Sequence, residues 1–173
     1  MNEARESRLI EIYSGKNIMQ AYKYFYEAPK HTTVYSVQGF EAIHKLLQIF
    51  PTDILKNAHQ KQKNRNIILK GFANRKALSV LQSVSPEINQ SHEGRAVGVK
   101  LIDGDAFMGP CEILCSQHTF LIHDTAKKRV LVLREKTITK FLYEILSTFY
   151  DNSENMKIFK INDYWNELMN KKI

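Results

Sequence analysis

The most informative part of the chain lies in residues 111–150, which read CEILCSQHTFLIHDTAKKRVLVLREKTITKFLYEILSTFY. Apolar and β-branched residues cluster there in three short segments, which predict strands at 111–115, 118–123 and 129–133. The polar residues between the last two segments are typical of a hairpin connection. Beyond them, apolar residues recur at the spacing of one helix face, at Ile138, Phe141, Leu142, Ile145, Leu146 and Phe149. This part of the chain therefore predicts antiparallel strands followed by a long amphipathic helix.

The residues that precede this segment alternate between strand and helix patterns. Clusters of β-forming residues predict strands at 8–13, 31–37, 66–70 and 95–102. Apolar residues at helical spacing predict helices between and after them, at about 18–26, 40–50, 53–64 and 77–84. The polar run 85–94, SPEINQSHEG, is typical of a loop. The order of these elements predicts an α/β fold, in which a mixed sheet is flanked by helices.

The end of the chain departs from this pattern. We expect one α/β domain over residues 1–150, a polar linker at 151–155 and a C-terminal amphipathic helix at 156–173. The apolar residues at helical spacing in that last segment are Ile161, Tyr164, Trp165, Leu168 and Met169. Such an apolar face must be covered, either by the domain itself or by a partner.

The composition is that of a folded protein with a hydrophobic core, because 43% of its 173 residues are hydrophobic. No apolar run approaches the ~18 residues that suggest a membrane-spanning helix. The opening residues MNEARESRLI lack the apolar stretch of a signal peptide. The sequence therefore predicts a cytoplasmic protein without membrane contact.

The two cysteines, Cys111 and Cys115, fall within one predicted strand. Along an extended strand they are too far apart to form a disulfide bond. No CxxC motif and no cluster of histidines with metal-ligand spacing occurs elsewhere in the sequence. We therefore expect reduced thiols, no metal site and no cofactor.

The net charge of +7 favours polyanionic partners, although it does not identify them. Two basic segments could contact phosphates, and their residues are Lys61, Lys63 and Arg65 in the first and Lys127, Lys128 and Arg129 in the second. The alternative for both segments is an ordinary solvated surface. Direct binding of nucleic acid through these residues therefore stays open.

Three parts of the chain together resemble a known domain. The opening stretch RLIEIYSGKNIMQAYKYFYEAPKHTTVYSVQG has Tyr13 and Gly15 in the turn after its strand, and Ser36 to Gly39 before its second helix. A basic helix and an apolar strand follow in HQKQKNRNIILKG, and residues 110–150 form a closing module of strands and a helix. In this order the elements resemble the phospholipase-D-like effector domain of TrmB-type transcriptional regulators. The likeness extends over residues 8–150, and the residues before it are too few for the winged helix-turn-helix of those regulators.

The resemblance implies a non-catalytic domain that senses a small-molecule effector or forms a homodimer, through a sheet edge or its closing helix. In open α/β sheets, ligands bind at the carboxyl ends of strands. By that analogy we expect ligand contacts at Ser36, Gly39, Gly71 and Asp103.

Catalytic members of the phospholipase D superfamily use a His-x-Lys-x4-Asp motif to attack and neutralise phosphate. Glu112 and Leu114 stand in the strand where such a histidine and lysine would be placed. The one His-x-Lys sequence is His59-Gln60-Lys61, which falls in a predicted helix and lacks the aspartate. The sequence therefore favours a domain without catalysis, and a divergent phosphodiesterase that uses His59 or His118 stays as an alternative.

Overall fold

The computed structural model describes residues 9–153, 156 and 158–160. In that part of the chain, eight strands form a single mixed sheet, and they are β1 (Ile10–Ser14), β2 (Thr33–Gln38), β3 (Ile68–Asn74), β4 (Ala96–Ile102), β5 (Cys111–Cys115), β6 (Phe120–Asp124), β7 (Arg129–Leu133) and β8 (Ile158–Lys160). Their order across the sheet is β1-β7-β6-β5-β2-β3-β4-β8. The central strands β2, β3 and β4 are parallel, whereas the remaining neighbours are antiparallel.

The helices flank both faces of this sheet, and they are α1 (Ile18–Tyr26), α2 (Phe40–Ile49), α3 (Thr52–Asn64), α4 (Ala77–Ser83), α5 (Pro86–Ser91) and α6 (Lys136–Asn152). Consecutive residues of a strand point to opposite faces. On β2, Val34 packs in a core with side chains of α1 and α2, whereas Tyr35 packs with side chains of α6. We call the face of Val34, covered by α1–α5, the inner face, and the face of Tyr35 the outer face. The predicted α/β fold, with helices on both sides of a mixed sheet, is confirmed.

The predicted loop at 85–94 is wrong in part, because residues 86–91 form the short helix α5. Pro86 occupies the first helical position, where its fixed backbone angle suits a helix. The hydroxyl of Ser85 accepts a hydrogen bond from the backbone N–H of Ile88 and so caps the helix. These start signals were present in the sequence, but a single buried apolar side chain, Ile88, is too little to show helical spacing.

Strand β3 is longer than predicted, since it passes through Gly71 and ends at Asn74. Gly71 lies beside Ser36 of β2, and a Cβ atom at position 71 would be 2.1 Å from the Ser36 hydroxyl. Here the glycine permits the close approach of two strands and does not end one.

The predicted helix at 156–173 also differs from the structure where the two overlap. Residues 158–160 form β8, which pairs with the outer edge of β4. The rest of that predicted helix, residues 161–173, lies outside the described residues. No helix among the described residues is long and apolar enough to cross a membrane.

Candidate ligand-binding cavity

A cavity of about 240 Å³ lies between the inner face of the sheet and helices α1–α5. Most of its lining is apolar, including Val34, Leu46, Phe50, Leu69 and Leu114. An apolar cavity of about 150 Å³ is large enough to bind benzene. The cavity therefore has room for an organic molecule somewhat larger than a single aromatic ring.

One group of polar side chains lines the cavity at the carboxyl end of β2 and is centred on Glu112. This residue is only 2% exposed. Its Oε2 accepts a hydrogen bond of 2.5 Å from the Tyr22 hydroxyl, and its Oε1 accepts one of 2.5 Å from the Gln38 amide. His123 does not line the cavity itself but joins the group from behind, since its Nδ1 lies 2.7 Å from the same Tyr22 hydroxyl. We call Tyr22, Gln38, Glu112 and His123 the Glu112 cluster.

Strand register explains why these residues meet. Glu112 of β5 is paired with Gln38 on one side and with His123 of β6 on the other. All three side chains therefore point to the inner face in one row across three strands. Tyr22 completes the cluster from α1, which packs over the same region of the sheet.

Burial controls the protonation of the Glu112 cluster. It raises the pKa of the Glu112 carboxyl, although the hydrogen bonds from Tyr22 and Gln38 act in the opposite direction. Burial lowers the pKa of His123 to about 4, so that its imidazole is neutral at pH 7. The Nε2 atom of His123 is buried and has no hydrogen-bond partner among the described residues. A buried polar atom without a hydrogen bond lowers the stability of the folded state by about 1–3 kcal/mol. Such atoms are rare in protein cores, which indicates that the Glu112 cluster has a role beyond packing.

A second polar group lines the cavity where α3 meets the segment between α5 and β4. The His59 Nδ1 lies 2.6 Å from the Ser91 hydroxyl. The rings of His59 and His92 are in contact, with their centroids 4.3 Å apart and their planes tilted by 41°. Arg95 lies 2.5 Å from the His92 Nδ1 and donates a hydrogen bond of 2.6 Å to the Gln62 side chain. We call His59, Gln62, Ser91, His92 and Arg95 the Arg95 cluster.

The Arg95 cluster places a charged guanidinium beside neutral imidazoles. Arg95 is 7% exposed, and burial lowers its pKa to about 10, so that it stays charged at pH 7. Burial also lowers the pKa of His59 and of His92 far below the usual range, and the charge of Arg95 adds to this effect. The cavity therefore has a cationic hydrogen-bond donor in one part of its lining and a buried carboxyl group in another.

The four residues predicted as ligand contacts do not come together. Ser36 and Gly71 lie side by side on the inner face, and the Ser36 hydroxyl is buried without a hydrogen-bond partner among the described residues. Gly39 and Asp103 lie instead at the carboxyl edge of the parallel strands. There the Gly39 N–H donates to the Cys111 carbonyl, and the exposed Asp103 forms an ion pair of 2.5 Å with Arg75.

A loop crosses the strand ends where those contacts were expected. At the start of α2, the N–H groups of Phe40 and Glu41 donate to the carbonyls of Phe107 and Met108, at 2.8 and 3.2 Å. Free backbone N–H groups at the start of a helix can bind an anionic ligand at the end of the preceding strand. Because the loop uses them, the cavity beneath the helices is the better candidate site.

The two basic segments lie at opposite ends of the strands. In the first, near the start of β3, Lys61 forms an ion pair of 2.5 Å with Glu27, and Arg65 donates to the Ala28 carbonyl. The second segment is the turn between β6 and β7, where Lys127, Lys128 and Arg129 are exposed. The structure therefore does not join the six predicted polyanion contacts into one surface.

The two histidines of the phosphodiesterase alternative are also separated. His59 is buried in the Arg95 cluster, whereas its sequence neighbour Lys61 is partly exposed and paired with Glu27. His118 lies in the turn before β6, and it lines a second pocket together with Tyr24 and Arg134. Among the described residues, no group of three or more His, Cys, Asp or Glu side chains could hold a metal ion.

Comparison with known proteins identifies a related fold. No family model matches the chain, and no curated protein matches it. Among solved structures the chain is similar to TrmBL2, described as an archaeal chromatin protein with a novel mode of DNA binding. The two are 15% identical with a TM-score of 0.56, and the match covers 88% of this chain and 54% of TrmBL2. The chain spans about half the length of TrmBL2, and what the two share is a TrmB-related fold.

Proposed function

We propose that the chain is the effector-sensing and dimerisation domain of a TrmB-like regulator, and that it holds a small organic molecule in the cavity beneath α1–α5. The observation that carries this proposal is the cavity itself, which is apolar over most of its lining. The polar part of the lining comes from the two clusters, and it consists of Tyr22, Gln38 and Glu112 on one side and His59, Gln62, His92 and Arg95 on the other. Ligand sites of soluble proteins combine an apolar lining with a few well-placed polar groups in this way.

The position of the cavity suits a sensor. Its lining includes side chains from all five helices of the inner face and from four strands of the sheet. A ligand placed there contacts the helices and the sheet at once. It therefore favours the one arrangement of helices on sheet that fits it, which is how binding shifts a conformational equilibrium.

The two clusters limit the chemistry of the ligand. The guanidinium of Arg95 is a cationic donor that suits a carboxylate or another anionic group. The apolar side chains in between suit an aromatic or branched aliphatic body. The Glu112 cluster then suits a hydroxyl or amine at the far end of the molecule. We therefore propose a small aromatic or aliphatic organic acid as the class of effector.

Phenylacetate is the first probe for this class, with phenylacetamide and toluene as uncharged controls. At ten times its dissociation constant, a ligand stabilises the folded state by about 1.4 kcal/mol, which raises the melting temperature by roughly 3–6 °C. We expect thermal unfolding to show such a rise for the acid and a smaller one for the controls. Arg95→Met should remove the difference between acid and amide.

A cavity-filling variant separates binding in the cavity from binding elsewhere. Ala58 of α3 lines the cavity, whereas Ala126 is exposed in the turn between β6 and β7. We expect Ala58→Phe to abolish the rise in melting temperature and Ala126→Phe to leave it unchanged. Equal responses of the two variants to phenylacetate would contradict a site in the cavity.

Nucleic-acid binding is the second candidate function, and the exposed Lys127, Lys128 and Arg129 at one turn favour it, together with the net charge of +7. If these three side chains contact phosphates, affinity for duplex DNA should fall roughly 40-fold between 50 and 200 mM salt. Fluorescence anisotropy with a labelled duplex of arbitrary sequence measures this. Reversing the three charges to Glu should remove most of the affinity.

The matched control reverses three other exposed charges, those of Lys16, Lys23 and Lys30, and changes the net charge by the same amount. If both triple variants lose DNA equally, the turn is not a specific contact. If neither the wild-type chain nor the control binds DNA at 50 mM salt, this candidate function is wrong.

A further inference from the structure

Part of the outer face of the sheet is apolar and exposed. Helix α6 packs on β5, β2 and β3. Beyond it, on β6, β7 and β1, six apolar side chains point outward in two rows of three. The rows are Ile122, Leu131 and Ile12, and Phe120, Leu133 and Ile10. We call these six residues the outer patch.

The exposure of the outer patch is high for apolar side chains. Ile12 is 72% exposed and Ile10 is 59% exposed. Apolar residues of α6 extend the surface, since Ile138, Phe141 and Ile145 are also exposed along one side of that helix. Only two residues separate the end of β7 from the start of α6, so that this stripe starts near the patch. Soluble monomers rarely expose a contiguous apolar surface larger than a few hundred Å², which indicates that something covers it.

Neither residues 1–8 nor residues 161–173 are favoured by their sequence or position as the cover of the outer patch. Residues 1–8, MNEARESR, are almost entirely polar. Residues 161–173 follow β8, which is at the opposite edge of the sheet from β1.

We propose that a second copy of this chain covers the outer patch, in a two-fold symmetric interface that includes the exposed stripe of α6. This deepens the dimerisation half of the proposed function and does not depend on the cavity. The exposed apolar side chains of patch and stripe amount to roughly 800 Å², which is about what each partner buries in a standard interface. Neither row contains a charged residue, as expected for the centre of an interface.

The charge of the chain predicts how this dimer responds to salt. Each copy carries a net charge of +7, so that two copies repel each other at low ionic strength. Salt screens this repulsion and also strengthens apolar association. The dimer should therefore become tighter as salt rises, whereas binding to a polyanion becomes weaker.

Analytical ultracentrifugation of the full chain between 1 and 100 µM tests the proposal. We expect a mass of two chains for the wild type and of one chain for the double variant Ile12→Lys/Leu131→Lys. Ile158→Lys is the matched control, because Ile158 is an exposed apolar residue of the same sheet outside the patch. It should leave the dimer intact. Circular dichroism checks that all variants are folded.

The other outcomes overturn the proposal. A wild-type chain that is monomeric at 100 µM in 0.5 M salt shows that no second copy covers the patch. A dimer that survives the double variant, or that is lost equally in Ile158→Lys, uses another surface. Loss of the dimer on Trp165→Lys, with the double variant still dimeric, assigns the interface to the C-terminal segment. In each case the response of the cavity to phenylacetate is a separate measurement, so that failure here leaves the ligand proposal standing.

Discussion

Lowering the pH from 7 to 5 is expected to reduce the free energy of unfolding by several kcal/mol. Burial lowers the pKa of His59, His92 and His123 in the folded protein, whereas in the unfolded chain their pKa is about 6.5. Between pH 7 and 5 the unfolded chain therefore binds more protons than the folded one, and stability falls as pH falls. Each such histidine contributes about 2 kcal/mol over this range.

Glu112 acts in the opposite direction. Burial raises its pKa in the folded state, so that its contribution favours folding at low pH and is lost as the pH rises. The observed change is therefore smaller than the sum over the three histidines. For His123 the loss of stability continues down to about pH 4, where the folded state also takes up its proton.

Urea unfolding at both pH values measures this effect. Replacing His59 and His92 together by Gln should remove most of the difference between pH 7 and pH 5, even if it lowers stability at both. Replacing the exposed His44 by Gln is the control and should leave the difference unchanged. Equal unfolding free energies of the wild-type protein at pH 7 and 5 would show that the folded protein takes up as many protons over this range as the unfolded chain, so that burial does not keep these histidines neutral.

Gly39→Ala is expected to destabilise the protein by about 3 kcal/mol, which is large for a single added methyl group. A Cβ atom at position 39 would lie 2.0 Å from the Gly109 carbonyl oxygen, and backbone cannot rotate away as a side chain can. The loop of residues 103–110 must then move. This movement separates the Phe107 and Met108 carbonyls from the N–H groups at the start of α2.

Gly109→Ala is the matched control on the other side of this contact. No atom lies within 4 Å of a Cβ built at position 109, so that its unfolding free energy should stay within about 0.5 kcal/mol of the wild type. Thermal or urea unfolding compares the two. If Gly39→Ala is as stable as Gly109→Ala but responds less to phenylacetate, Gly39 contacts ligand and does not serve mainly to seat the loop.

Much of the fold could be predicted because the strands and helices have strong apolar periodicity. The predicted strands at 111–115 and 129–133 match β5 and β7 residue for residue, since both are short apolar runs between polar turns. The order of strands could not be predicted in the same way. The pairing of β5 with β2 joins residues more than 70 positions apart, and no local pattern specifies such a contact.

The candidate site was harder to predict, although its signals were present. By comparison with the phospholipase D motif, Glu112 is only a replacement for a catalytic histidine, yet a carboxyl group within the apolar run CEILC is itself a sign of a buried polar group. His123 at the end of FLIHD is a second sign. That these two side chains meet depends on the register of β5 with β6, and Tyr22 comes from a helix about 100 residues away. Only three-dimensional packing brings them together.

The alternation of side chains along β6 has a mechanical consequence. His123 belongs to the Glu112 cluster on the inner face, and its immediate neighbour Ile122 lies in the outer patch. A single peptide unit links the two residues. A twist or slide of β6 therefore displaces both side chains at once, one on the inner face of the sheet and the other on the outer face. If, as proposed, the cavity binds an effector and the outer patch binds a second copy, binding at one face can affect the other directly through the backbone of β6, without passing through the helices.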